Sequence, residues 1–205
     1  MQTKASSVNS ASNLRQIGSA IQLFANDNKG QLPGPVNSGQ PAEFGSPNPQ
    51  TYDESEGTYT TPFLAVRLYE YLPVVYNSGR VYSETFDYPA WNSETNGVGP
   101  SYYINREVRK DGISYYPLGI RRSSSDPTKN GTPLLLSRFA TLGLDNEVWI
   151  YEVDQMAPIG SPGWSKAIPT MPVHGSYRNA LLFDGSVSAI PIEDVGRLQN
   201  PVALN

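Results

Sequence analysis

The chain contains no cysteine, and this absence excludes disulfides, thiolate metal sites and cysteine nucleophiles. Its one histidine, His174, excludes a metal site built on a pair of histidines. A Ser-His-Asp triad would have to use that residue, and no Gly-x-Ser-x-Gly motif supplies the nucleophile. Neither of the common glycine-rich phosphate-binding loops occurs. We therefore predict a protein that is not an enzyme.

Charged residues are also scarce, at 17% of the chain with a net charge of -4. Nucleic acid binding needs clustered lysine and arginine. The nearest approach to a basic run, Arg121-Arg122, stands beside serines typical of a solvated turn, so we predict no nucleic-acid partner. No run of about 18 apolar residues occurs, as a membrane span requires, and no signal peptide is recognisable. Because Met1 precedes sequence typical of mid-helix, we expect a segment upstream of Gln2 to be missing here.

The rest of the composition favours a single domain over residues 1–205. Hydrophobic residues make up 38% of the chain, which is enough for a core, while 18 glycines and 18 prolines indicate many loops. One long helix followed by short strands and turns is typical of the α+β class. We predict a long N-terminal helix packed on an antiparallel β-sheet, with large loop insertions.

The N-terminal helix is predicted over residues 4–30. Four apolar residues recur at helical spacing and fall within one narrow stripe: Leu14, Ile17, Ile21 and Phe24. Val8 lies off this stripe, so we expect the first turns not to pack against the domain. Asn28-Lys29-Gly30 is a typical helix end, because a cation in the last turn is followed by glycine.

Residues 31–60 are rich in Pro, Gly, Ser and acidic residues and are predicted as a surface loop insertion. Thr61-Pro62 then starts a short second helix, as an N-cap followed by proline at the first helical position, and Pro73 closes it. Mixed α/β structure is expected over residues 61–205. Four segments in it are predicted as strands: Val81–Phe86, Ser101–Asn105, Leu134–Phe139 and Val148–Val153.

A C-terminal hairpin is predicted over Ala180–Ile190, where two apolar runs meet at Asp184-Gly185. A type I′ turn is expected there, with positive φ at both central residues. The tail Pro191–Leu198 is expected to add a short helix. Three other dipeptides are predicted as turns: Asn96-Gly97, Asp111-Gly112 and Asn130-Gly131.

Acidic residues occur in two groups, one in the long loop and one around a predicted strand: Asp53, Glu54 and Glu56, then Asp145, Glu147, Glu152 and Asp154. Two carboxylates at the right separation would suit a glycosidase, and oxygen-rich loops suit calcium. Since no EF-hand spacing occurs, ligands of a calcium ion cannot be assigned. We expect solvated loop acids and no cofactor, with a hydrolase and a structural calcium site as alternatives.

Aromatic residues near predicted turns give a further alternative: Tyr102-Tyr103, Tyr115-Tyr116, Trp91 and Trp164. Aromatic platforms with amide neighbours bind sugars. We expect these rings to fill a core that is short of aliphatic residues. Trp91 and Trp164 are kept as candidate contacts of a carbohydrate- or ligand-binding surface module.

Two separated motifs resemble one bacterial family. Asn13–Gly18, continued by Phe24–Gly30 and Leu32-Pro33, is similar to the segment after the membrane helix in type II secretion pseudopilin-like (prepilin-type) proteins. Far downstream, His174 and Asp184-Gly185 match the His-x9-Asp-Gly signature of the same family. The paired motifs stand in the family's order, and together they are more specific than either alone.

The middle of the chain resembles the family more loosely. Phe86–Ala90 and Ser101–Asn105 are similar to further landmarks, although Tyr88 stands where relatives often carry cysteine. A disulfide seen in relatives is therefore not expected here.

The resemblance implies a structural subunit with a pilin-like fold and a prepilin-type N-terminus. In such proteins a basic leader is cleaved, the new N-terminus is methylated, and a hydrophobic helix follows that packs in a filament core. The implied partners are other pilin-like subunits, secretion machinery and the membrane through that missing helix. The implied location is the inner membrane, with the head on the periplasmic or cell-surface side.

The spacing of the downstream motif limits what its residues can do. Nine residues at about 3.3 Å each would span roughly 30 Å of extended chain. We therefore expect His174 at or before the far end of the first hairpin strand, away from Asp184. A structural role is expected for both, His174 fixing a loop and Asp184 shaping the turn, with binding or pH sensing by His174 as the alternative.

Overall fold

The structure is a computed structural model, and it describes residues 4–36, 38–40, 43–45, 52–53, 58–59, 63–77, 80–87, 100–119, 132–157 and 168–198. Three α-helices lie in these ranges: α1 (Lys4–Asp27), α2 (Leu64–Arg67) and α3 (Arg138–Leu142). Two 3₁₀ helices span Glu84–Phe86 and Val195–Leu198. None of the described helices is long and apolar enough to cross a membrane.

Twelve short strands occur in the described ranges, in chain order β1 (Gly39–Gln40), β2 (Glu43–Gly45), β3 (Tyr52–Asp53), β4 (Thr58–Tyr59), β5 (Val75–Asn77), β6 (Arg80–Tyr82), β7 (Tyr102–Ile104), β8 (Val108–Lys110), β9 (Ile113–Tyr115), β10 (Val148–Glu152), β11 (Tyr177–Leu182) and β12 (Val187–Pro191). Five form the main sheet in the order β1-β7-β10-β11-β12, and every neighbouring pair is antiparallel. The predicted α+β class, with a long N-terminal helix and an antiparallel sheet, is confirmed.

Helix α1 lies against one face of this sheet, mainly along β11. Its stripe residues Leu14, Ile17 and Ile21 are fully buried and share one core cluster with Leu181 of β11. Full burial of each such side chain stabilises the fold by about 1.5–3 kcal/mol. Gly18 lies on the same face, where a Cβ atom would lie 3.0 Å from Cδ1 of Leu181. The small residue therefore allows the close approach of helix and strand.

The opposite face of the sheet carries a second core cluster. Tyr103, Tyr151, Ala180 and Leu182 point to it from β7, β10 and β11, and Leu198 of the C-terminal 3₁₀ helix covers it. The tail predicted to be helical thus includes a short 3₁₀ helix. Because both faces are covered, all five residues of β10 are buried.

A β-bulge interrupts the pairing of β10 with β11. Val148 pairs with Leu182 and Ile150 pairs with Leu181, which leaves Trp149 as the extra residue. Trp149 and Ile150 consequently belong to the same core cluster, on the side of α1. The Trp149 ring stacks on Phe183, with the ring centroids 4.8 Å apart.

Helix α1 ends at Asp27, three residues before the end of the predicted range 4–30. The amide of Gly30 donates to the carbonyl of Ala25 over 2.7 Å, which is the 6→1 bond of a Schellman motif. The left-handed residue that follows the helix cap is Lys29, with φ 57°, and Gly30 also has positive φ. Glycine is thus one position later than the usual motif places it.

The segment predicted as a loop insertion contributes to the main sheet. Gly39 and Gln40 of β1 pair with Tyr103 and Tyr102 as an edge strand. The side-chain oxygen of Gln40 accepts from the Leu64 amide over 2.7 Å and satisfies the first donor of α2. Phe63 occupies the N-cap position of this helix, while the predicted cap, Thr61-Pro62, lies outside the described residues.

Two strand predictions are wrong in whole or in part. Leu134–Phe139 forms one isolated bridge, from Leu135 to Gln31, and then enters α3. Leu135 is 45% exposed, so the apolar run does not form a buried strand. The predicted strand Val81–Phe86 stops at Tyr82 and continues as the 3₁₀ helix Glu84–Phe86. Tyr102–Ile104 and Val148–Glu152 confirm the other two strands.

Candidate functional site

The two halves of the His-x9-Asp-Gly motif lie at opposite ends of β11. His174 precedes this strand by three residues, and Asp184-Gly185 follows it in the turn to β12. Tyr177, the first residue of β11, pairs with the last residue of β12, so His174 is at the open end of the hairpin. The expectation that His174 lies away from Asp184 is confirmed. The motif therefore brackets the strand on which α1 packs.

At the His174 end, six side chains from four parts of the chain form a buried network that we call the polar clamp: Ser7, Ser10, Glu152, His174, Tyr177 and Asn179. Its centre is the carboxylate of Glu152, at the end of β10. The Nε2 atom of His174 lies 2.9 Å from Oε1 of Glu152, and both side chains are only 4% exposed. Because an ionised carboxylate only accepts hydrogen bonds, we assign the hydrogen to Nε2.

Further donors surround the same carboxylate. The Asn179 amide nitrogen donates to Oε2 over 2.7 Å, and its side-chain nitrogen lies 3.3 Å from Oε1. The hydroxyl of Ser10 donates to Oε1 as well. A buried charge is costly unless it is paired and hydrogen bonded, and charge-assisted bonds of this kind are the stronger ones. The four donors explain how Glu152 can be buried in the core.

The clamp holds the first turns of α1 on the sheet. Ser10 is fully buried, and its hydroxyl also lies 3.3 Å from the hydroxyl of Tyr102. One turn earlier, the Ser7 carbonyl accepts from the Asn179 side chain over 3.1 Å, and its hydroxyl accepts from Tyr177 over 2.9 Å. The expectation that these turns do not pack against the domain is wrong from Ser7 onward. Their contacts are polar, while Val8 is 64% exposed.

The imidazole of His174 is also held by a ring contact. It stacks on Tyr177 with the ring centroids 5.0 Å apart and the planes 18° from parallel. Since Tyr177 donates to Ser7, the same tyrosine orients His174 and contacts α1. The ring is fixed between a tyrosine face and a carboxylate, and the role of His174 in fixing a loop stays a prediction.

At the other end of β11, the predicted turn type is wrong. Gly185 has a φ of 85°, whereas Asp184 does not have positive φ. The amide of Gly185 donates to Leu182, and the amide of Leu182 donates to Ser186. This is a three-residue hairpin loop in which a type I turn is followed by a left-handed glycine. Oδ1 of Asp184 accepts from the Ser186 amide over 2.7 Å and stabilises this shape.

The Asp184-Gly185 turn lies against the later part of α1. A Cβ atom at Gly185 would lie 2.9 Å from the side-chain nitrogen of Gln22. The turn is also anchored to the segment before β10, because the Asp184 amide donates to the Asp145 carbonyl over 3.0 Å. The His174 half of the motif is therefore linked to α1 through Glu152 and Ser10, while the Asp184-Gly185 half lies beside Gln22.

A second buried acid-base pair lies on the opposite face of the sheet. Arg178 and Asp154 are 0% and 1% exposed, and the guanidinium donates to both carboxylate oxygens, with Nη2 2.9 Å from Oδ1. Asp154 also accepts from the Met156 amide over 2.8 Å. Burial raises the pKa of the nearby Tyr151 hydroxyl well above its usual value, and Tyr103 adds to this shift. The Arg178-Asp154 pair therefore lies inside the second core cluster and does not face solvent.

The other acidic candidates do not gather in one place among the described residues. Glu147 lies 3.7 Å from Lys110 near the surface, at the opposite end of β10 from Glu152. Asp53 is part of β3, and Glu54 and Glu56 lie outside the described residues. Within the described ranges, no group of three or more histidine, aspartate or glutamate side chains could hold a metal ion. The calcium site stays a prediction.

Several other candidates also fall outside the described residues: Trp91, Trp164, Tyr88, Arg121-Arg122, Asn96-Gly97 and Asn130-Gly131. Tyr102 and Tyr103 are buried, as expected of rings that fill a core.

Sequence reasoning missed Ser7, Ser10, Tyr177 and Asn179. Of these four, only Asn179 has a recognisable signal in the sequence. It follows Arg178, and the two polar residues stand directly before the apolar run that starts at Ala180. Their partners Glu152 and Asp154 likewise end an apolar strand. Polar side chains at such positions must find partners when they are buried.

Comparison of the chain with protein-family models, with curated proteins and with solved structures finds no match.

Proposed function

We propose that the chain is the head of a pilin-like subunit, structural and without catalytic activity, in a type II secretion or type IV pilus-like assembly. The observation that supports it is that the two halves of the resembling motif lie next to α1, at opposite ends of β11. His174 acts on Ser10 through Glu152, and Gly185 lies beside Gln22.

The polar clamp suits a helix that has to keep one direction relative to its head. An apolar stripe alone holds a helix through contacts that are not directional. The hydrogen bonds of Ser7 and Ser10 add directional restraints in the turns before Leu14. In the proposed subunit, these are the turns nearest to a preceding membrane helix, so the clamp would set the angle between anchor and head.

The burial of the His174 side chain and of the acids near it supports a structural role over catalysis. A group that acts on a substrate must reach it, but His174 and Glu152 are 4% exposed and hydrogen bonded to the protein. Asp154 is 1% exposed and paired with Arg178. These acids therefore stabilise the sheet in the proposed subunit, and they do not face a cleft.

The proposal includes the environment that the resemblance implies. A cleaved, methylated prepilin N-terminus and a hydrophobic helix would anchor the protein in the inner membrane, with this head on the periplasmic or cell-surface side. Other pilin-like subunits and secretion machinery would be its partners. The gene must then encode about 20 apolar residues directly upstream of Gln2.

Cysteine cross-linking of the full-length protein in its own cells tests the assembly, because this chain supplies no cysteine of its own. Val8 and Leu23 are 64% and 51% exposed on α1. A Val8→Cys/Leu23→Cys double variant, treated with a bismaleimide, should give a ladder of multimers in the membrane fraction. The matched control, Val75→Cys/Ile113→Cys, places positions of comparable exposure (53% and 55%) away from α1 and should give a weaker ladder. Monomers alone from both variants would contradict a filament subunit.

The alternative of a carbohydrate-binding module based on Trp91 and Trp164 stays a prediction, because both residues lie outside the described residues.

A further inference from the structure

A groove lies at the end of α1 that is farthest from the polar clamp. It is bounded by the last turn of α1, by the segment 31–34 and by the residues that follow α2, and its volume is about 400 Å³. Sites for small molecules typically have volumes of about 300–1,000 Å³. We call it the tip groove and define it by six of its lining residues: Phe24, Asn28, Gln31, Tyr69, Glu70 and Tyr71.

Three aromatic rings in the tip groove are only partly buried by the protein itself. Phe24 and Tyr71 meet edge to face, with the ring centroids 6.1 Å apart. The Tyr71 hydroxyl donates to Asp27 over 2.8 Å, and the Tyr69 hydroxyl donates to Glu70 over 2.8 Å. The hydrogen bond to Asp27 raises the pKa of Tyr71, which keeps its hydroxyl protonated. These rings are held in place and can offer apolar faces without rearrangement.

The polar groups of the tip groove combine donors and acceptors. Gln31 carries an amide, which both donates and accepts, and the carboxylate of Glu70 accepts. The side-chain nitrogen of Asn28 already donates to the Phe24 carbonyl over 2.8 Å, and its amide oxygen can accept. A neutral ligand with many hydroxyl groups fits this set, because each hydroxyl both donates and accepts.

The walls of the tip groove are supported by backbone hydrogen bonds. The Leu32 amide donates to Leu134 over 3.1 Å, and the Leu136 amide donates to Gly30 over 2.8 Å. On the other side, Leu64, Val66 and Leu68 of α2 and its following turn are buried in the core. In a preformed site, ordering of side chains and loops on binding reduces the affinity only slightly.

We propose that the tip groove binds a neutral saccharide. The partly exposed rings would pack against the apolar C–H face of a sugar, and the amides of Asn28 and Gln31 with Glu70 would bond its hydroxyls. Aromatic-lined grooves also dock proline-rich peptides, but the donors and acceptors between the rings suit the many hydroxyl groups of a sugar and favour it. The proposal concerns a different surface from the polar clamp and does not depend on the filament role.

Saturation-transfer NMR on this chain tests the proposal with a panel of neutral hexoses, pentoses, N-acetylhexosamines and their disaccharides. We expect transfer to at least one panel member. Tyr69→Ala should weaken its binding about tenfold or more, as truncation of an aromatic anchor does. Tyr69→Phe keeps the ring and should bind nearly as the parent does. Gln31→Ala should also weaken binding. Gln31 lies in a different segment from Tyr69, so this variant tests the groove independently if Tyr69→Ala lowers the stability of the fold.

The matched control is Tyr82→Ala, which removes an equally half-buried tyrosine from a second groove. That groove, of about 470 Å³, lies beside Asn13 and Glu84. Its tyrosine should be dispensable for binding. Loss of binding in Tyr82→Ala with retention in Tyr69→Ala would overturn the assignment to the tip groove. Absence of transfer to every sugar, or binding of an aromatic peptide in the groove with no sugar binding, would overturn the saccharide proposal.

Discussion

At the scale of single residues, two Asp-Gly dipeptides in this chain fold differently. Asp111 and Gly112 both have positive φ, 52° and 77°, and join β8 to β9 as a two-residue turn. In the second pair, Gly185 alone has positive φ. The dipeptide predicts both hairpins. The turn type also depends on the pairing register of the two strands, and the Asp-Gly dipeptide alone does not determine that register.

The comparison of Gly185 with Gly112 yields a prediction. Both glycines have positive φ, but a Cβ atom would lie 2.9 Å from Gln22 at Gly185 and would meet nothing within 4 Å at Gly112. Gly112→Ala should therefore cost only the backbone strain, roughly 1–2 kcal/mol. Gly185→Ala should cost the same strain and little more, because the nearest atom is the far end of the flexible, exposed Gln22 side chain, which can turn away. Urea denaturation measures both losses.

A third variant isolates the contact with α1. Adding Gln22→Ala to Gly185→Ala should change the loss of stability little, because the Gln22 side chain can already turn away. A much larger loss for Gly185→Ala than for Gly112→Ala, relieved by Gln22→Ala, would show that the Gln22 side chain cannot leave the turn.

At the scale of elements, apolar periodicity predicts α1 well and its first turns poorly. Leu14, Ile17 and Ile21 mark the buried stripe, and the structure confirms it. Ser7 and Ser10 carry no apolar signal, since their burial comes from partners such as Glu152, which is 142 residues away from Ser10. Polar burial depends on distant partners, so the local sequence does not reveal it.

Short elements are predicted poorly for the same reason. The strand β1 has only two residues, and its place at the sheet edge depends on pairing with Tyr102 and Tyr103. Leu134–Phe139 has the composition of a strand, but the Leu136 amide bonds to Gly30, and Gly143, with φ 65°, ends a helix there. Tertiary contacts override the local preference in both cases.

The clamp on α1 gives the second prediction. Ser10→Ala removes one donor from the buried carboxylate of Glu152, which should lower the free energy of unfolding by about 1–2 kcal/mol. Amide hydrogen exchange should become faster in the first turns of α1, while the turns from Ile17 to Ala25 stay protected. Ser19→Ala is the control, because Ser19 is exposed on the same helix. Uniform acceleration along the whole helix would argue against a local clamp.

At the scale of the whole molecule, the main sheet buries ionisable groups on both faces. Glu152 and His174 lie on the side of α1, while Asp154 and Arg178 lie on the other side. Removing one partner of such a pair leaves a buried charge uncompensated, which typically costs about 3–5 kcal/mol. Composition and pattern were sufficient to predict the class of the fold, but these pairings required the three-dimensional arrangement.

The pH dependence of stability should show whether Tyr151, in the second core cluster, is shielded from solvent. Burial raises the pKa of Tyr151 well above the ordinary tyrosine value of 10.0, and Tyr103 raises it further. Above about pH 10 the tyrosine of the unfolded chain loses its proton, whereas the buried one keeps it. The unfolded state then binds fewer protons than the folded state, so stability must fall as the pH rises through this range.

Urea denaturation of the parent chain and of Tyr151→Phe at several pH values from 8 to above 10 measures this effect. The parent should lose stability steadily above about pH 10, and the variant should lose less, because its buried ring has no proton to release. Tyr82, whose pKa is also raised by burial and by its bond to Asp87, accounts for part of the slope that Tyr151→Phe retains. Parallel curves for the parent and Tyr151→Phe would show that Tyr151 ionises in the folded state as readily as in water, and the second core would then have to be open to solvent.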